Sequence, residues 1–493
     1  MLLGLLSLTY SILFAYALFP QQIVFNSHTE LTSRSSVDDF TDHKFVPGTA
    51  YPLAADDAVL KVRPMTVYRP RSLDMLLNAR LHSMRFSESS AEPLEWDTRE
   101  VLGPDIEDRH TLAQLARMSG NAYALPGRSN WYEVDQAWNK ASSFDSFPFG
   151  WEDIDDGFRG HVFLSGDNST IVLSIKGTTL NGPTSRKDRF NDNLLFSCCC
   201  AHVTFPWMIH RVCKCYANHW RCDNACLSKA LIDDSLFYSI GVKLVNDLLA
   251  DYPDANIWLT GHSLGGALAS LLGATYGFPA VTFESPGERL AALRLHLPLP
   301  PSPPLTPSSR VFSSDAIVHP AYPHLPITHV YHTSDPIPQG VCTGFWSPCE
   351  QAGFALETKC HLGRSIIFDT VGKLGWYVDV RTHMIKAVIT RLLEDEEVDW
   401  GDDDDDDESI IFLSLWDRLK KKLMWWKKVG SVFWIEERKH RNVPKAKVEE
   451  DCVDCYKWNF GDYELLDDDD NDGDGDDDHI PEPPDPNWTH LIH

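Results

Sequence analysis

The chain has 493 residues, which is enough for one large catalytic domain with tails or for two domains. Its formal net charge of −27 is concentrated in two acidic blocks, residues 394–408 and 462–485. The basic residues are not gathered into a basic domain, so the composition argues against nucleic-acid binding. Blocks of like charge repel themselves, and we expect both to be disordered; calcium or partner binding is the alternative.

The first 19 residues carry no charged side chain and are mostly apolar. Their length is close to the ~20 residues that span a bilayer, which predicts a transmembrane signal anchor. Ala15-Tyr16-Ala17 also fits the cleavage pattern of a signal peptide, so a removable leader is the alternative. Either reading sends the remaining chain across the secretory membrane.

Residues 20–104 form a polar lumenal region in which no element can be assigned. Residues 105–393 have the pattern of a catalytic α/β domain, in which short apolar strands alternate with helices. Strands are predicted at 160–164, 170–175, 257–259, 281–283 and 328–332, and helices at 231–249, 264–274 and 384–393. This alternation predicts a mostly parallel sheet with helices on both faces. A proline-rich insertion at 298–307 is expected to be an exposed loop.

Residues 394–493 form an acidic C-terminal region interrupted by a basic, aromatic segment at 410–435. This segment is amphipathic at helical spacing. Its tryptophans Trp425, Trp426 and Trp434 suit a membrane interface. The alternative is a helix that packs on the catalytic domain.

Twelve cysteines are present, and none precedes Cys198. Behind a targeting segment, such clusters favour disulfides over free thiols. Zinc binding is the alternative, because Cys452 and Cys455 have the spacing of half a zinc site; we expect no metal. Asn168 and Asn487 begin N-glycosylation sequons, which agree with a lumenal location.

The motif G-x-S-x-G occurs at Gly261-His262-Ser263-Leu264-Gly265. It follows the strand at 257–259 and opens a helix, which is the setting of a nucleophile elbow. The two glycines remove side chains that would collide in the sharp turn, and the helix N-terminus favours developing negative charge at Ser263. A capping serine in a tight turn is the alternative.

A serine nucleophile needs a base. In folds that contain such a nucleophile elbow, the catalytic residues occur along the chain in the order Ser, then Asp or Glu, then His. Asp335 lies just after the strand that ends at residue 332, in a loop stiffened by Pro336 and Pro338. This position suits a carboxylate that orients a histidine. Asp315 and Asp369 are the rival candidates.

His383 is the candidate base, because it lies in a loop just before the last predicted helix. His361 and His332 are its rivals, and spacing alone does not exclude His361. The base must be neutral before the serine attacks, so activity is expected to fall at acid pH.

An oxyanion hole needs two N–H donors near the reacting carbonyl oxygen. Leu264, which follows the nucleophile, supplies one candidate. Thr178 supplies the other, because it follows an early strand and the adjacent Gly177 permits close approach. An ordinary turn at the end of a strand is the alternative for Thr178.

At these residues the chain resembles the fungal autophagy-related lipases, a branch of the class 3 lipases. The similar strings are long and unusual, as in Thr282-Phe283-Glu284-Ser285-Pro286-Gly287. The others lie at residues 191–200, 260–268, 332–340, 358–363 and 451–456. The proline-rich insertion departs from the family pattern and lengthens the interval between Ser263 and Asp335.

The resemblance implies an α/β-hydrolase fold, an uncleaved type II signal anchor and a triad of Ser263, Asp335 and His383, with no cofactor. It implies transit through the endoplasmic reticulum, Golgi and multivesicular body to the vacuole, where phospholipids and acylglycerols of internal vesicles are degraded. Two alternatives stay open. One is a secreted esterase of soluble or cell-wall esters, and the other is a non-enzymatic membrane tether.

Overall fold

The computed structural model describes residues 60–86, 94–134, 147–151, 157–164, 169–180, 182–201, 212–234, 236–301, 322–343, 347–395, 398–400 and 443–465. The predicted anchor, the segment 410–435, Asp315 and both sequon asparagines, Asn168 and Asn487, lie outside these ranges, as does most of each acidic block. Among the described helices, none combines the length and the apolar composition that crossing a bilayer requires.

A seven-stranded sheet forms the centre of the domain. Its strands, in spatial order, are β10 (Arg364–Phe368), β9 (Ile327–His332), β8 (Ala280–Phe283), β7 (Asn256–His262), β5 (Thr170–Ile175), β4 (Gly160–Leu164) and β3 (Phe147–Phe149). Neighbouring strands from β5 to β10 are parallel, and β4 is antiparallel to both of its neighbours. The predicted mostly parallel sheet is therefore confirmed. The strand β10, which begins with the polar pair Arg364-Ser365, was not predicted.

Two smaller sheets flank the centre. Strands β1 (Val62–Pro70) and β2 (Trp96–Pro104) form an antiparallel pair within the region in which no element could be assigned. Strands β6 (Arg221–Asp223) and β11 (Asn459–Gly461) form a parallel pair that joins the cysteine-rich region to the C-terminal segment.

The helices lie between the strands along the chain. They are α1 (Leu73–Phe86), α2 (Arg109–Asn121), α3 (Ser185–Phe196), α4 (Asn224–Asp234), α5 (Leu236–Asp251), α6 (Leu264–Tyr276), α7 (Arg289–Arg294), α8 (Pro348–Gln351), α9 (Thr370–Leu374) and α10 (Ile385–Ala387). A 3₁₀ turn at Val380–His383 precedes α10, and a π-helical turn at Val388–Leu393 follows it. The single helix predicted at 231–249 is thus two helices, α4 and α5.

Strand β7 has an apolar core on each of its faces, as expected for a parallel strand covered on both sides. Ile257 and Leu259 pack into one hydrophobic core together with α6. Trp258, between them in sequence, packs into the second core with α2 and the π-helical turn. Every residue of α6 is buried, which explains its run of small and apolar side chains.

All twelve cysteines form disulfides, which confirms the predicted oxidation. The pairs are Cys198–Cys455, Cys199–Cys222, Cys200–Cys213, Cys215–Cys226, Cys342–Cys349 and Cys360–Cys452. Because a metal-binding cysteine must be a free thiolate, this pairing leaves no cysteine for the zinc alternative. Cys452 and Cys455 bond to different parts of the domain instead of converging on one site.

Residues 443–465 lie against the catalytic domain, beyond its predicted end at 393. Val443 belongs to one hydrophobic core and Trp458 to the other. Lys447 pairs with Ser365 of β10 through two backbone hydrogen bonds. The acidic C-terminal region therefore contains a structural part of the domain.

Candidate active site

Ser263 lies at the turn between β7 and α6, where the backbone has φ 59° and ψ −133°. This conformation is strained for a residue with a side chain, and it projects the serine from the end of the strand. A Cβ atom at Gly261 would lie 2.4 Å from the carbonyl group of Gly265, and one at Gly265 would lie 2.1 Å from the carbonyl oxygen of Ile175. Both glycines of the motif are thus required by close backbone approach.

The fold brings the side chains of Ser263, His383 and Asp335 into one hydrogen-bonded chain. His383 Nε2 lies 2.9 Å from Ser263 Oγ, and His383 Nδ1 lies 2.6 Å from Asp335 Oδ2. Since an ionised carboxylate only accepts, Nδ1–H donates to Asp335 and Nε2 can accept the serine proton. We refer to these three residues as the triad.

Asp335 is fully buried at the end of β9. Burial alone would raise the pKa of its carboxyl, but the adjacent His383 ring holds that pKa below its ordinary value. The carboxylate also accepts a hydrogen bond from Ile337 N at 3.0 Å. Asp335 is therefore kept as the anion that can support a positive charge on His383.

The rival residues in the described ranges have other partners. His361 contacts Glu449 through Nδ1 at 3.0 Å and the carbonyl oxygen of Ser285 through Nε2 at 3.0 Å. His332 contacts the carbonyl oxygen of Thr382, and Asp369 caps the N-terminus of α9.

The loop after β5 lies beside the elbow, where an oxyanion hole would be needed. A Cβ at Gly177 would come within 2.2 Å of the carbonyl oxygen of His262, so glycine alone permits this approach. Thr178 Oγ1 donates a hydrogen bond to the carboxylate of Asp192. On the other side, Leu264 is the first residue of α6, and its N–H has no acceptor within that helix. Both predicted donors thus border the turn that holds Ser263.

Two buried acidic residues, Asp192 and Asp188, contact this loop. Burial, partly opposed by the Thr178 hydroxyl, raises the pKa of Asp192 to about 8. Asp188 accepts from the Lys176 ammonium at 2.7 Å and from Thr179 N at 2.9 Å. These bonds fix the backbone on which Thr178 lies.

A second chain of hydrogen-bonded side chains, which was not predicted from the sequence, lies next to the triad. The hydroxyl of Tyr123 lies 2.8 Å from His262 Nδ1, and His262 Nε2 lies 2.7 Å from the carbonyl oxygen of His383. Burial lowers the pKa of His262 to about 3, so its ring is neutral and donates to that carbonyl. This chain connects α2 to the turn that carries His383. His262 stands within the motif, but no local pattern identifies Tyr123.

A cluster of Glu288, His329 and His361 has side-chain atoms close enough to bind a metal ion. His361, however, directs both ring nitrogens at acceptors, which favours the imidazolium form. Although burial acts in the opposite direction, Glu449 raises the pKa of His361 to about 9. An imidazolium cannot ligate a metal, so His361 is better described as one half of a buried ion pair with Glu449.

Apolar side chains are exposed on the segments that carry Thr178 and His383. The exposed fractions are 63% for Leu180, 88% for Tyr377, 56% for Val378 and 61% for Met384. Single exposed apolar residues are common, but these four adjoin the candidate catalytic residues in sequence. Each of the two segments that carry candidate catalytic residues thus exposes apolar side chains.

Comparison with known proteins places this site in a family. The model of "Lipase (class 3)" matches residues 179–278, which include Ser263 and its elbow. A protein of Cryptococcus neoformans named "Putative lipase ATG15" is 46% identical over 395 residues, covering 75% of this chain and 70% of that protein.

Two further relatives have the same printed name. The one from Mycosarcoma maydis is 39% identical and covers 76% of this chain and 71% of its own length. The one from Saccharomyces cerevisiae is 41% identical and covers 68% of this chain and 61% of its own length. The identity extends over most of the chain, so this chain belongs to the ATG15 lipase family, within the class 3 lipases.

Proposed function

We propose that this protein is a serine hydrolase that cleaves carboxylic esters of membrane phospholipids and acylglycerols. The observation that carries the proposal is the hydrogen-bonded chain from Ser263 through His383 to Asp335, held at the elbow of a class 3 lipase fold. Its elements suit acyl transfer: a nucleophile, a histidine base within reach and a buried carboxylate next to the base.

In the first half of the reaction, Ser263 Oγ attacks the ester carbonyl carbon while His383 Nε2 takes the serine proton. The resulting imidazolium is stabilised by Asp335. Negative charge develops on the carbonyl oxygen, which the N–H groups of Leu264 and Thr178 bind. The imidazolium then protonates the departing alcohol, and the acyl group stays on Ser263.

In the second half, a water molecule takes the place of the alcohol. His383 removes its proton as the water attacks the acyl carbon, and the same N–H groups bind the oxyanion. Collapse of this intermediate returns the proton to Ser263 and releases the fatty acid. The cycle needs only groups of the chain and water, so it requires no cofactor.

Membrane lipid is the proposed substrate class. The exposed side chains of Leu180, Tyr377, Val378 and Met384 favour contact with an apolar surface rather than with a small soluble ester. The name of the relatives supports a role in autophagy. We further propose that residues 1–19 anchor the protein in the membrane and that it enters the vacuole through the multivesicular body. There it would degrade vesicles such as autophagic bodies.

The substrate proposal can be tested on purified protein with vesicles of phosphatidylcholine and phosphatidylserine beside a short-chain soluble ester. We expect fatty acid release from the vesicles, and no release by Ser263→Ala. Thr390→Ala, which removes an exposed hydroxyl of the last helical turn, is the control and should keep full activity. Strong hydrolysis of the soluble ester without hydrolysis of vesicles would instead identify an esterase of soluble substrates.

A further inference from the structure

A second buried carboxyl lies beside the triad. Glu284 is the first residue after β8, has a positive φ of 46° and is fully buried. Its backbone N–H donates to the carbonyl oxygen of Val330 at 2.9 Å, and its Oε2 accepts from His332 N at 3.4 Å. Its other oxygen, Oε1, is buried with no partner of its own among the described residues, and the two carboxyls of Glu284 and Asp335 are close enough to interact by charge and by a shared hydrogen bond.

Two carboxyl groups in contact cannot both be ionised at low cost in a buried site. Burial and the charge of Asp335 together raise the pKa of Glu284 well above its ordinary value. Asp335 is the ionised member, because the ring of His383 faces it. Glu284 is consequently the protonated member, and its O–H donates to Asp335.

The other groups near Glu284 do not neutralise a charge on it. His332 Nε2 lies 3.8 Å from Glu284 Oε1, but burial lowers the pKa of His332, so its ring is neutral. Tyr331, also close by, has its pKa raised by burial and stays protonated. The described surroundings therefore favour the neutral acid at position 284.

We propose that Glu284 is a positioning residue for the Ser263 reaction, acting as a neutral acid that hydrogen-bonds Asp335. This inference rests on the proposed function, because it concerns the same reaction. Asp335 already accepts from His383 Nδ1 and Ile337 N, and Glu284 supplies a further donor without adding a charge. The carboxylate is thereby fixed in the orientation that His383 requires.

This arrangement has a defined pH dependence. When Glu284 ionises at alkaline pH, the hydrogen bond is lost and two negative charges adjoin, so turnover should fall. A carboxyl whose pKa is raised by folding also makes the folded state less stable as pH rises above its ordinary value of 4.5. The neutral acid is retained at acidic pH, as a degradative lumen would require.

The test compares Glu284→Gln, which keeps a donor but cannot ionise, with Glu284→Met, which has no donor. Ester turnover is measured per active site, counted with a fluorophosphonate. We expect Glu284→Gln to stay near wild type and to lose the alkaline fall in kcat. Glu284→Met should lose about ten- to a hundredfold in kcat with KM unchanged. Glu357→Gln, at another buried carboxyl, is the control and should behave as wild type.

Unfolding provides a readout that needs no substrate. Glu284→Gln should become more stable relative to wild type as pH rises, because the amide never has to ionise. Three results would overturn the positioning role alone. They are a wild-type kcat in Glu284→Met, an equal loss of kcat in both variants, and an unchanged alkaline fall in the kcat of Glu284→Gln. An inactive wild type without label on Ser263 would overturn the proposed function, and this role with it.

Discussion

Asp335 determines which nitrogen of His383 carries the proton. Its carboxylate holds the hydrogen on Nδ1, which leaves Nε2 free to accept from Ser263. In the proposed reaction it also stabilises the imidazolium that forms during attack. The reaction needs both the negative charge of Asp335 and its role as a hydrogen-bond acceptor. Asparagine has nearly the same shape as aspartate but no charge, so this replacement isolates the electrostatic contribution.

We expect Asp335→Asn to lower kcat by about 10⁴-fold while the protein stays folded, because the amide favours the wrong tautomer of His383. The measurement is steady-state ester hydrolysis, with circular dichroism to verify folding. Asp251→Asn, at an exposed carboxylate at the end of α5, serves as the control and should keep its activity. Equal activity of the two variants would exclude Asp335 from the reaction.

Residues differ in how far the sequence alone locates them. Ser263 could be predicted because the elbow has local backbone requirements, and these leave glycines at fixed positions in the motif. Asp335 and His383 could only be ranked against rivals, since their meeting depends on the parallel order of β7, β8 and β9. No role could be predicted for Glu284 or Tyr123: Glu284 lies in one of the strings shared with the family, but neither that string nor any pattern around Tyr123 indicates what the side chain contacts.

At the scale of elements, the C-terminal segment 443–465 is bound to the domain by charge as well as by disulfides. Glu449 accepts from His361 N and Nδ1, from Ser365 Oγ and from the Tyr331 hydroxyl. Although burial acts in the opposite direction, His361 and these donors hold the pKa of Glu449 far below its ordinary value. The segment is thus bound to the domain through the ion pair of Glu449 and His361, which lies beside β9 and β10.

Glu449→Gln should lower the free energy of unfolding by about 3–5 kcal/mol, because removing one partner leaves a buried charge unpaired. The contribution of Glu449 is present above its unfolded pKa of 4.5 and is lost as pH falls through its lower folded value. The contribution of His361 to stability is present below its unfolded pKa of 6.5 and is lost as pH rises through its folded value of about 9. The effect should therefore be largest between pH 4.5 and 6.5 and smaller at pH 9.

Chemical unfolding without reductant at several pH values measures this effect. The neighbouring Glu450→Gln, at an exposed position, is the matched control and should be nearly neutral. A loss for Glu449→Gln that is the same at every pH would contradict the ion-pair account.

Elements with strong local signals were predicted well, and the others were not. Strands β4 and β5 have their predicted bounds because each is a short apolar run between turn residues. Strand β10 begins with polar residues, and it is completed by pairing with β9 and by contact with Lys447. The place of 443–465 also depends on tertiary contacts, since its disulfide partners Cys198 and Cys360 are distant in sequence.

For the whole molecule, the six disulfides are typical of a protein from an oxidising compartment, and a lumenal location stays a prediction. The acidic blocks account for most of the charge, and most of their residues lie outside the described domain. The anchor at 1–19 and a membrane contact of 410–435 remain predictions from composition. The proposed ester hydrolysis depends on one nucleophile, Ser263.

The most direct test of that claim is mass mapping of the protein after treatment with a fluorophosphonate, which phosphorylates activated serines. We expect one label, on Ser263, with loss of ester hydrolysis in proportion to labelling. Ser263→Ala should take no label and should lose on the order of 10⁶ in turnover. Labelling at another serine, or a Ser263→Ala variant that keeps its ester hydrolysis, would contradict the account.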